Sequence, residues 1–322
     1  MKTMKWLLRR EIWEHKGAFF WTPLLIAAAM VILMGGGFAY SMAFGGAEHI
    51  RIQGNDVVSI EGVPQAMRYK IAHIAASAYL GAAAPLFMVL AVVVFFYCLS
   101  ALHDDRRDRS ILFWKSLPLS DRDTVLSKLV TALCVAPLVT MAISVATSLL
   151  LLVIGMLAAA GKGLNLFAPV LTDLNLYLSP FYLLAFLPLY ILWALPTVGW
   201  LLLVSSWAKS KVFLWAVGIP LVTLLLLFWL NFIISPIAPV HFDIDFIGKE
   251  IVTRMLGGLF PGAWMSEVDG SRFSQMKDGL DAGVVLGESY RTLANPGVWL
   301  GAIAGSAMIV GAIRLRRWRD EG

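Results

Sequence analysis

Six stretches of this chain are long and apolar enough to cross a bilayer, and no other feature restricts its fold so strongly. They cover residues 18–44, 71–102, 129–160, 181–207, 212–234 and 296–313. Each reaches or approaches the roughly 20 residues that a helix needs to span the hydrocarbon layer. Inside that layer a segment must satisfy its own backbone N–H and C=O groups, which a helix does without help from its neighbours. Only 15% of the residues are charged, against about 25% in soluble domains. The sequence therefore predicts an all-α integral membrane protein with six transmembrane helices. No internal repeat or low-complexity stretch divides it, so residues 1–322 read as one transmembrane domain.

Charge placement orients the spans. The N-terminus, the loop after the second span, the 208–211 link and the C-terminal tail fall on one side, with 17 of the 26 Lys and Arg. The longer loops opposite share the other 9, and acids run the other way, giving +8 on the first side and −3 on the second. By the positive-inside tendency both termini are expected in the cytoplasm of the cell (inner) membrane. The basic balance then reflects topology and contact with anionic membrane lipid, and no basic patch with interleaved aromatics points to nucleic acid.

Residues 1–17 mix Met4, Trp6, Leu7, Leu8, Ile12 and Trp13 with Lys5, Arg9, Arg10, Glu11 and Glu14. That pattern suits an N-terminal amphipathic interfacial helix; a loose basic leader is the alternative. The first apolar run is too long for a signal-peptide core, so it is expected to be retained. Outer loops follow at 45–70, 161–180 and 235–295. In the last and largest, the Gly- and Pro-punctuated 247–268 stretch suits either short re-entrant helices or a small external cap. Cys98 and Cys134 lie inside spans and form no motif together, so neither a disulfide nor a metal site is expected.

The densest information lies in residues 103–128, the elbow between the second and third spans. Asp104–Arg109 alternates in sign, as solvated faces do. Four large apolar residues follow, Ile111, Leu112, Phe113 and Trp114, flanked by Arg109 and Lys115, and Pro118 should stop that short helix. Ser120 with Asp123 makes a capping-box-like start for a helix running through Lys128 into the third span. An elbow that presents an aromatic pair suits docking into a partner's groove; alternatively Phe113 and Trp114 anchor the loop at lipid headgroups.

This arrangement resembles the type-2 permeases of ATP-binding-cassette (ABC) exporters. The string RSILFWKSLPLSDRDTVLSK is similar to their loop, in which a basic residue and a short apolar helix precede a Leu-Pro-(Leu/Val)-Ser turn and a later Lys. Here these are Arg109, Ile111 to Trp114, Leu117-Pro118-Leu119-Ser120 and Lys128; the family often has Gly-Thr where Ser110-Ile111 stand. The resemblance covers almost the whole chain. It implies that Arg109, Ile111, Leu112, Phe113, Trp114, Lys115, Leu117 and Pro118 form a cytoplasmic coupling elbow that fits an ABC ATPase subunit. It also implies a second permease, as homodimer or paralogue, and export of cargo.

Catalytic chemistry is not expected of this chain. The nearest string to a phosphate-binding loop, Gly155 to Gly163, has the wrong spacing and lacks Ser or Thr after Lys162. No cofactor is expected on this chain; ATP and Mg belong to the partner ATPase. Within the spans as drawn there is no Asp, Glu, Lys or Arg, which disfavours an ion-coupled carrier. His73 reads as a satisfied interfacial side chain. Thr140, Ser144, Tyr190 and Asn231 are candidates to line a path, although interhelical hydrogen bonding is the plainer role for each. Gly297, Gly301 and Gly305 recur every four residues, a surface for close helix approach within the subunit or across a dimer. Few intramembrane charges imply a hydrophobic or amphipathic cargo. A non-transporting scaffold or sensor is the main alternative. An intramembrane enzyme built on His103, Asp104 and Asp105 would need a second acidic or His motif on a neighbouring span.

Overall fold

The computed structural model describes residues 2–44, 50–51, 57–58, 64–107, 120–234, 248, 251–268 and 282–318. Six of its helices are long and apolar enough to cross a membrane, and each coincides with one apolar stretch of sequence. They are Gly17–Tyr40, Gln65–Arg107, Asp121–Gly161, Leu174–Trp207, Val212–Ile233 and Pro296–Trp318, the first to sixth spans. Several outrun the apolar run because the polar flanks keep to the helical ladder. The third is capped where the sequence predicts: Ser120 Oγ accepts the Asp123 N–H at 3.0 Å. Asp173 caps the fourth by accepting the Asn175 N–H at 2.8 Å. Extended pairing among the described residues is a two-residue antiparallel match, Ile50 with Val58 and Arg51 with Val57.

The prolines act in two ways. Pro85 and Pro137 open helices just after a 3-10 turn (Tyr79–Ala83) and a π turn (Thr131–Val135), where a missing N–H costs least. Pro196 and Pro220 sit inside the continuous fourth and fifth spans.

The N-terminal helix Lys2–Glu14 runs into the first span without a loop, since His15 N–H reaches Glu11 O and Phe19 N–H reaches His15 O, both at 3.0 Å. Its inner face carries Leu7 and Glu11, and Trp6 and Trp13 are exposed with the Arg9 and Lys16 cations over their rings.

Two ends of the bundle can be told apart. The 108–119 segment joins the second and third spans at the elbow end, and the 235–295 segment joins the fifth and sixth at the loop end. The fourth span is the axis of the fold: 61% of its apolar window is buried, against 17% for the first span and 11% for the fifth. Its Leu189, Tyr190, Trp193, Val198, Leu201 and Leu202 join Leu90, Val94, Val125, Val298 and Ile309 in one core. The fourth and sixth spans pair most extensively, and Gly305 is the reason. A Cβ there would lie 2.7 Å from Leu195 O and 2.8 Å from Pro196 N; one on Gly199 would lie 2.5 Å from Gly305 O. In a membrane, where lipid is as apolar as Leu, close backbone approach through small residues holds helices together. The glycine stripe thus faces the fourth span of its own subunit.

Candidate functional site

The eight elbow residues Arg109, Ile111, Leu112, Phe113, Trp114, Lys115, Leu117 and Pro118 lie outside the described residues. Both ends of that segment are described, and both are pinned. Asp105, just before it, accepts Arg316 Nη1 at 3.0 Å; Asp121, just after it, accepts Arg316 Nε at 3.2 Å. One guanidinium on the sixth span therefore holds both feet of the elbow. Arg316 is suited to this because its planar fork presents several donors in fixed directions.

The ionic chain continues inward. Lys128 Nζ lies 3.6 Å from Asp105 and 3.2 Å from Glu11 of the N-terminal helix, and Tyr97 Oη donates to Glu11 at 2.8 Å. Glu11 and Lys128 are only 1% and 2% exposed. Removing one partner from such a chain strands a buried charge, which costs about 3–5 kcal/mol. His15 closes the rim, its ring edge-on to Tyr97 and 3.9 Å from Glu11. Burial pushes the His15 pKa below its ordinary 6.5, outweighing the opposing pull of Glu11.

A second fastening ties the end of the second span to the end of the fourth. Ser205 Oγ donates to Leu99 O at 2.7 Å and accepts the N–H groups of Leu102 and His103 at 3.1 and 3.0 Å. Arg106 Nη2 donates to the carbonyls of Ser205 and Ala208 at 2.6 and 2.9 Å. His103 meets the Ala208 carbonyl at 3.3 Å and Asp105 is ion-paired, so two of the three members of the His103, Asp104 and Asp105 cluster serve as fasteners. No group of three metal-binding side chains occurs among the described residues.

At the loop end a charge does enter the bundle, from a loop. The turn Ile251–Leu256 brings Arg254, 5% exposed, between the fourth and sixth spans. Its guanidinium lies 4.7 Å from the Trp193 ring centroid, donates to Glu267 Oε1 at 2.9 Å, and its carbonyl accepts Thr197 Oγ1 at 2.6 Å. Gly297 and Gly301 make the room, since a Cβ on them would lie 3.0 and 3.4 Å from the Arg254 terminal nitrogens. Asn295 completes the cluster, donating to Glu267 Oε2 at 3.0 Å while accepting the Gly297 N–H at 2.9 Å. Gly301 stands about 7 Å inside the loop-end terminus of its span, at 1.5 Å per residue. The reading that the spans themselves lack charge missed this arginine because it comes from outside them. His73 is satisfied as expected, with Nδ1 2.7 Å from Asp173 Oδ2.

The four path candidates sit on three spans. Thr140 and Ser144 are buried on the third span, Asn231 is half-buried on the fifth, and Tyr190 borders an apolar cavity. Sequence reasoning placed Glu11 on the amphipathic N-terminal helix, Asp105 in an alternating-sign run and Arg316 among the basic residues of the tail, and paired none of them. For Glu11 a signal existed: it falls four residues after Leu7, on the stripe that turns inward. For Asp105 and Arg316, 211 residues apart, no local pattern announces the pairing. No family model, curated protein or solved structure matches this chain.

Proposed function

We propose that this chain is the membrane-spanning permease subunit of an ABC exporter, a single transmembrane domain whose elbow end faces the cytoplasm of the cell (inner) membrane. ATP is hydrolysed with Mg on a separate ATPase subunit, and a second permease, a copy or a paralogue, completes the pathway. The cargo is hydrophobic or amphipathic. The observation that carries the reading is the double anchorage of the elbow. A partner that pushes on residues 109–118 pushes on Asp105 and Asp121 together, and both are held by Arg316 of the sixth span. That span lies backbone to backbone against the fourth at Gly305. Force applied at the elbow has a route of packed and ion-paired groups into the bundle axis. The basic excess on the elbow side supports the orientation.

The test is Phe113→Ala combined with Trp114→Ala. The double variant should fold and insert while losing most of its co-purifying ATP-binding subunit, because truncating an aromatic hot spot costs about 2 kcal/mol or more. Charge reversal at Arg109 should do less, since rim charges act mainly on association rate. Variants at Arg51 and Arg68, on the opposite side, serve as controls. Wild-type co-purification and ATPase coupling in the double variant would make the elbow a headgroup anchor and remove the exporter reading.

A further inference from the structure

A cavity of about 270 Å³ opens between the second, third and fourth spans and the loop-end turns, and nothing in the ionic chain or the elbow uses it. Its floor is Leu90, Pro137, Met141 and Tyr190, all buried; its rim carries Met88 and Met265, 58% and 40% exposed. No charged side chain lines it among the described residues. Met88, Met141, Tyr190 and Phe186 stand about 25–32 Å from the elbow-end termini of their spans, and on the second and third spans the charged flanks 103–107 and 121–128 take up about 8 and 12 Å of that. The cavity therefore falls in the loop-end half of a hydrocarbon layer about 30 Å thick.

We infer that this cavity holds a single hydrocarbon tail of an amphipathic molecule drawn from the loop-end leaflet. Water is excluded as the occupant by the apolar lining, because a buried water needs several polar partners. The volume sits just below the range of about 300–1,000 Å³ for sites that enclose drug-sized ligands, so it has room for one chain rather than for a whole two-tailed lipid. Three methionines, Met88, Met141 and Met265, give the wall a soft and adaptable surface suited to a flexible chain. Trp264, on the loop-end turn, is the residue type that favours the boundary between tail and headgroup.

The tail belongs either to a membrane phospholipid or to a single-chain amphiphile, and labelling separates the two. The full chain is reconstituted in vesicles of phosphatidylethanolamine and phosphatidylglycerol. These carry either a phosphatidylethanolamine with a mid-chain diazirine or palmitic acid with the same group, and adducts are mapped after illumination. The segments around Met88, Met141 and Met265 should be labelled in excess over the exposed face of the fifth span at Phe228, Trp229 and Phe232. Met141→Trp, which fills the floor, should lower the cavity adducts about tenfold, the loss of about two buried methylenes, and leave the fifth span unchanged. Leu183→Trp fills the cavity from the fourth span and gives the same readout if the first variant does not fold. Enrichment with the phospholipid assigns the tail to bilayer lipid; enrichment with palmitate alone assigns it to a single-chain amphiphile. Cavity labelling no stronger than that of the fifth span, or unchanged by the filling variant that folds, overturns the inference. No nucleotide or partner is needed, so the result is independent of the exporter proposal.

Discussion

The two buried ionic clusters found among the described residues are built on opposite plans. At the elbow end, Glu11, Lys128, Asp105, Arg316 and Asp121 come from the N-terminal helix and the second, third and sixth spans. Each bond there joins elements distant in sequence, and the chain closes around the feet of one loop. At the loop end, Arg254 and Glu267 are 13 residues apart in a single loop stretch, and the spans contribute a Trp193 face, a Thr197 hydroxyl and the hollow above Gly297 and Gly301. The first cluster ties helices to each other. The second plugs a loop into a groove that two helices have already formed. A network that joins elements should govern the stability of the whole bundle, whereas a plug should govern only how tightly its loop is seated.

Arg316→Met puts that distinction under the largest strain. It leaves Asp105 and Asp121 without their shared cation, and the loss should be about 3 kcal/mol, the lower end for a broken buried pair because Lys128 still neighbours Asp105. Arg316→Lys should recover only part of it, since an ammonium cannot fork between two carboxylates. Arg254→Met, the matching change at the loop end, should cost less, about 2 kcal/mol, the worth of one charged hydrogen bond. Thermal unfolding in detergent ranks the three; equal losses for Arg316→Met and Arg254→Met would erase the contrast between network and plug.

Next in size is the sixth-span glycine face. Gly305→Leu forces side-chain atoms into the Leu195–Pro196 backbone and should cost about 1–3 kcal/mol, whereas Gly297→Ala meets side-chain ends, those of Arg254 and Asn295, and should cost less. Yield and melting temperature of the two variants check the order, and a harmless Gly305→Leu would mean that the fourth and sixth spans do not need their close approach.

The smallest effect is one of pH. A histidine with a lowered folded-state pKa binds its proton more readily when unfolded. Stability should therefore be complete above about 6.5 and fall as the solution is acidified through that value. The charged groups facing His15 are Glu11, Glu14, Asp104 and Lys128. His15→Gln should flatten the slope on the acid side of pH 6.5, and an unchanged slope would assign the acid sensitivity to the carboxylates of the ionic chain.

How much of this was legible beforehand varies with the range of the physics involved. Apolar length alone marks the six spans, because a bilayer demands helices of a fixed minimum length whatever their neighbours. The start of the third span was legible too: Ser120 and Asp123 are three residues apart, and a cap is a local hydrogen bond. The glycine stripe announced a close approach without saying against what. The tertiary structure supplied the Leu195–Pro196 backbone as its partner, and Arg254 as the group that fills the space the other two glycines leave open.

The charges show the limit most clearly. From sequence Glu11, Asp105, Lys128 and Arg316 are four members of a basic-leaning set of flanks, since one-dimensional order reports only the side on which a charge lies. Their pairing was decided by the packing of the sixth span along the fourth and the folding of the N-terminal helix under the elbow, which bring groups up to 211 residues apart to 3.0 Å. Helix existence depends on the composition and length of one segment, and those are written in order along the chain. Ion-pair partners and cavity walls depend on distances between segments, and only the assembled bundle sets them.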